Sequence, residues 1–128
     1  MGYARFLRAA LFIGLLSLGG PALAHHSGAA YDSDHPKTFK ATVNVVNWTN
    51  PHVNFQVTNE AGEVWSLEVS SPGVMSRSGW SRHSLQPGDQ ATFQIMPLRS
   101  GAQAGFIRTV TLSNGQVLNI AAPTEDPE

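Results

Sequence analysis

The chain has no cysteine, so no disulfide can staple it and no thiolate can ligate a metal or attack a substrate. Charge is scarce too. Only 13% of its 128 residues are Asp, Glu, Lys or Arg, and their formal net charge of −1 offers no basic surface for a polyanion or an acidic membrane. Also missing are a nucleophile elbow, a Gly-rich phosphate loop, an H-E-x-x-H helix, an internal repeat and a low-complexity tract. What remains is 41% hydrophobic with 12 Gly and 8 Pro, too apolar for a disordered chain and of single-domain length.

Arg5 and Arg8 precede an apolar run from Ala9 to Leu18, followed by Gly19, Gly20, Pro21 and then Ala22-Leu23-Ala24. A basic start, a short apolar stretch and a small-x-small end are the pattern of a signal peptide, predicted here over residues 1–24. The run is about half the roughly twenty residues a spanning helix needs, so no membrane anchor is expected after cleavage, and the location is periplasmic or secreted. Processing would remove two basic residues and no acids. The six basic and nine acidic residues left carry a net charge of −3, which disfavours nucleic acid further.

From Lys37 the apolar residues alternate, with Phe39, Ala41, Val43 and Val45 against Lys40, Thr42 and Asn44, the period of a half-buried strand. Val46 and Trp48 fall on the opposite parity, which predicts a β-bulge near Val45 and Val46 or a bend there. After Asn50-Pro51, Val53, Phe55 and Val57 point inward while His52, Asn54 and Gln56 point out; Asn59 to Gly62 turns the chain into Trp65, Leu67 and Val69. Pro72 to Gly79 lacks alternation and predicts a short helix. Ala91, Phe93 and Ile95 mark a fourth strand. Ser100 to Gly105 reads as a loop, Phe106 to Leu112 as a fifth strand and Val117 to Ile120 as a sixth. This order predicts a mainly β chain, a small OB-like β-barrel of five or six strands with one short helix between strands three and four; a β-sandwich is the alternative. The barrel is expected over residues 37–121, after an N-terminal arm at 25–36 and before a flexible tail at 122–128.

Histidine carries the sharpest chemical signal. Cleavage after Ala24 makes His25 the first residue, and a terminal His offers its α-amine and ring Nδ1 to one ion in a six-membered chelate. The amine loses its proton near a pKa of about 7.7–8.0, and imidazole suits copper, zinc and nickel. His26 offers a competing mode through amine, amide nitrogen and ring, although on an extended backbone the two rings point to opposite sides. The third nitrogen is expected from His52, with His83 as second choice and His35 as a loop candidate; Asp32 and Asp34 offer oxygen. The plain alternative is that these are solvated surface histidines. Trp48 and Trp80 are candidates for a ligand groove, though tryptophans of a small barrel also serve as core. Glu60, Glu63 and Glu68 read as the solvated side of a hairpin.

His25-His26-Ser27 after the leader, Trp48-Thr49-Asn50-Pro51-His52, Ser71-Pro72-Gly73, Gly79-Trp80 and Leu85-Gln86-Pro87-Gly88-Asp89 resemble, in order and spacing, a family of small exported bacterial proteins, domain of unknown function 6152. The resemblance implies a periplasmic β-protein without an established activity, with histidines characteristic at His25, His26 and His52 but not at His83. The expected function is an exported binding module, not an enzyme, holding copper or another transition metal through His25. The alternatives are a metal-free domain that binds an envelope protein or small ligand, and a copper-dependent oxidative enzyme.

Overall fold

A computed structural model of the chain describes residues 28–120. Residues 1–24, where a signal peptide is expected, His25, His26 and the expected tail at 122–128 lie outside them. The order is a single 3-10 turn at Gly28–Ala30, then β1 (Lys37–Asn47), β2 (Asn54–Asn59), β3 (Val64–Glu68), α1 (Pro72–Arg77), β4 (Gln90–Pro97), β5 (Ala104–Leu112) and β6 (Val117–Asn119).

The alternation read from the sequence is the alternation of burial. Ala91, Phe93 and Ile95 of β4 are buried while Thr92, Gln94 and Met96 are half-exposed, and Phe55, Val57, Trp65 and Leu67 give β2 and β3 the same pattern. β1 pairs with both β2 and β4, β4 with β5, and β3 with β5 in parallel, so the sheet closes on itself. That parallel seam makes the fold a five-stranded barrel rather than a sandwich, with β6 added along β5.

Two boundaries differ from the sequence reading. The register of β1 shifts between Val43 and Val45, just before the expected position, and Val45 is left exposed. β5 starts at Ala104, inside the expected loop, because Ala104 and Gly105 pair with Ser66 and Leu67 of β3. Gly105 is required there: a Cβ would lie 2.6 Å from the Met96 carbonyl oxygen and 2.8 Å from Ile95 Cδ1.

Ser71 caps α1 by accepting a hydrogen bond from the Val74 amide at 3.4 Å, Pro72 occupies the first turn, and Gly79, at φ +87°, lets the chain leave. Its one buried residue, Met75, joins the core formed by Phe55, Leu67, Phe93, Ile95 and Ile107. Burial of that side chain stabilises the fold by about 1.5–3 kcal/mol. Among the described residues no helix is long and apolar enough to cross a membrane.

Candidate functional site

His52 sits between the cis Asn50-Pro51 bond and β2. Its neighbour Val53 is fully buried and bonded through its backbone to Val69 and Ser70, so the alternation of an extended chain turns His52 to the outer face. Glu68 ends β3 opposite Asn54 and emerges on that same face. The two side chains meet, His52 Nδ1 on Glu68 Oε1, with the imidazole 46% and the carboxylate 25% exposed. A carboxylate only accepts, so Nδ1 carries the proton and donates it; in the neutral ring the lone pair is then on Nε2.

The other carboxylate oxygen, Oε2, accepts a long hydrogen bond of 3.4 Å from the Tyr31 hydroxyl. Tyr31 is buried, edge-on to Phe106 at 5.8 Å, and forms a β-bridge with Leu98. Backbone bonds from Asp32 to Pro97 and from Arg99 to Ala30 hold the arm on either side of it. Burial pushes the phenol up to about 12, helped by the charge of Glu68 and the hydrogen bond to it. The arm is fastened a second time at Asp32, whose carboxylate meets His35 Nδ1 at 3.0 Å and Arg99 Nη1 at 3.6 Å. The His35 hydrogen bond, above all, lowers the Asp32 carboxyl below its usual range.

Beside this chain of contacts lies a cavity of about 340 Å³. Tyr31, Asn54, Ser66 and Glu68 form its polar rim, over Leu98 and the backbone of β5.

The remaining candidates lie apart from this arrangement. Among the described residues no three His, Cys, Asp or Glu side chains come together as a metal cluster. His35 and Asp32 engage each other, and the Asp34 amide bonds to Asp32. His83 is exposed in the loop after α1, its amide held by Ser81. Trp48 is half-buried in a shallow groove of about 330 Å³ with Val46, Arg82, Gln86 and Pro87. Trp80 does not share that groove: it is 3% exposed, packs on Phe55 and donates from Nε1 to the Asn119 carbonyl at 3.2 Å.

Sequence reasoning missed Glu68 and Tyr31. Glu68 was legible by counting outward on both sides of the Asn59–Gly62 turn, since the hairpin register places it across from Asn54 at the start of β2. For Tyr31 the signal is the one large hydrophobic side chain in the arm at 25–36.

A family model described as "Family of unknown function (DUF6152)" matches residues 11–108. No curated protein and no solved structure matches the chain.

Proposed function

The chain belongs to the DUF6152 family of unknown function, and from that premise we propose that it is an exported binding module that holds a transition-metal ion, copper foremost, through His25 and His52. The observation that carries the reading is the His52–Glu68 contact. Histidines that ligate metals donate their other ring N–H to a carboxylate or carbonyl, which fixes the tautomer and makes the ligating nitrogen more basic. His52 has that arrangement, with Nδ1 on Glu68 and the ring 46% exposed.

Position supports it as well. Tyr31 ties the arm to Glu68, and six residues of extended chain back to His25 reach at most about 20 Å. An N-terminal amine and ring at His25, with His52 Nε2, give three nitrogen donors, a set suited to copper. The chain's lack of cysteine confines any such site to nitrogen and oxygen. The Trp48 groove supports a second reading, a metal-free accessory domain that docks an envelope partner.

The test is to express the full-length chain in an exporting bacterial host, establish the N-terminus by intact mass, and titrate the stripped protein with Cu(II) against a competing chelator. One ion per chain is expected. Its affinity should fall at least tenfold with His52→Ala or with one residue added before His25. Unchanged affinity in both variants overturns the metal reading, and co-purification of a partner with metal-free protein then favours the second.

A further inference from the structure

We propose that a second cavity, on the outer face of β4 and β5, binds a small organic carboxylate with an apolar body, and that Arg108 is the group that takes the carboxylate. The inference is independent of the metal reading.

A β-bulge shapes the wall. Between the pairs Gln94–Thr109 and Ile95–Ile107, β5 carries one residue more than β4, and that residue is Arg108. Arg108 and Thr109 therefore leave the interior together, between Ile107 and Val110, which are both fully buried. The Arg108 carbonyl accepts from the Ile120 amide at 3.0 Å, so the extra residue is fixed at its backbone. Asn119 of β6 pairs with Thr109, and its own carbonyl accepts the Trp80 indole N–H. The barrel itself thus holds three sides of the space, and Ser33 of the arm closes a fourth.

The cavity measures about 510 Å³, within the roughly 300–1,000 Å³ of small-molecule sites. Its mouth is open to solvent, since Ser33, Arg108 and Asn119 are exposed and Gln94, Met96 and Thr109 only half-buried. Among the described residues Arg108 is the one charged side chain on its walls.

That single cation selects the head of the ligand. A planar guanidinium donates two parallel hydrogen bonds to a carboxylate, one negative charge against one positive. A phosphate dianion would be left half-neutralised, and an ammonium would meet its own sign. The chain's net charge of −1 gives anions no general attraction, so the match is confined to this wall. The body of the ligand is selected by Met96, whose unbranched side chain adapts to an apolar group, beside Phe106 and Ile120 at the edge of the core. Gln94 and Thr109 add an amide and a hydroxyl to the rim.

The experiment titrates the full chain, isotope-labelled for NMR, with phenylacetate, with phenethylammonium as the probe of opposite charge and with inorganic phosphate as the anion without a body. Phenylacetate is expected to give saturable shifts at the Thr109 and Asn119 amides and the Met96 methyl below about 10 mM. Arg108→Met, which keeps length and apolar surface, should weaken that binding at least about tenfold. No saturable shift at those positions overturns the proposal. So does an equal response to phenethylammonium, phosphate binding as tight as phenylacetate, or unchanged affinity in Arg108→Met. The comparison of probes on the unsubstituted chain decides the matter even where a variant at the bulge fails to fold.

Discussion

Tyr31 and Glu68 stand 37 positions apart, yet the Tyr31 hydroxyl reaches Glu68 Oε2 at 3.4 Å while His52 occupies Oε1 of the same carboxylate. One side chain at the end of β3 thus joins the N-terminal arm to the imidazole that opens β2. Neither the arm nor the histidine is held this way by its own neighbours in sequence, because the pairings of β2 with β3 and of β3 with β5 bring all three together.

Glu68→Gln keeps the shape and removes the charge. The amide presents one acceptor where the carboxylate presents two, so it cannot serve Tyr31 and fix His52 in the same way. Copper affinity is expected to drop about 10–100-fold, measured by chelator competition, with the thermal transition still cooperative. Affinity equal to that of the unsubstituted protein would remove Glu68 from the site.

Tyr31 links the arm to pH. Its phenol is raised from 10.0 to about 12 in the folded chain, so the stability it contributes is full below pH 10 and is lost as pH rises through about 12. In a chain beginning at His25 it is the only tyrosine. Phenolate absorbance is therefore expected to appear together with alkaline unfolding, and Tyr31→Phe to cost about 0.5–1.5 kcal/mol by denaturant titration at neutral pH.

The Asp32 contact with His35 works at the opposite end of the scale. A lowered carboxyl contributes stability above its ordinary 3.8 that is lost as pH falls through the folded value. Carboxyl shifts followed by NMR should place the Asp32 midpoint below its ordinary 3.8. Asp32→Asn is expected to loosen the arm at Ala30 and Arg99 with little change in the melting of the barrel, since the pair lies at the surface.

How far the sequence speaks depends on the range of the interaction. Alternation along β2, β3 and β4 and the helix signal at Pro72 are local, and they mark those elements and their inner faces correctly, whereas in β1 the alternation fails at the bulge, where Val45 is exposed. The seam between β3 and β5 is not local: nothing near Ala104 or Gly105 says that they pair with Ser66 and Leu67, which is why the loop reading ran past the true start of β5. Outward parity likewise identifies His52 as available. It does not reveal that Glu68, of the same parity, is spent on His52 and Tyr31 instead of on water. Trp80 shows the converse, a residue equally at home in core or groove until packing on Phe55 decides it.

Gly105→Ala tests the seam directly. The added methyl would meet the Met96 carbonyl oxygen and Ile95 Cδ1 inside normal contact, and backbone cannot move aside as a flexible side chain can. A loss of about 1–3 kcal/mol is expected in denaturant titration. Ala at the turn glycine Gly62, where the space is open and only the positive φ resists, is expected to cost less than that upper figure.

The parallel pairing of β3 with β5 also governs how the chain comes to be folded. The hairpin of β2 and β3 and that of β4 and β5 each carry one inner apolar face, and neither is covered until the ring shuts. A half-assembled ring would leave Phe55 or Phe93 in water and strand edges unpaired. With no covalent crosslink to hold an intermediate together, a single all-or-none unfolding transition is expected, with the joining of strands distant along the chain as its slow step.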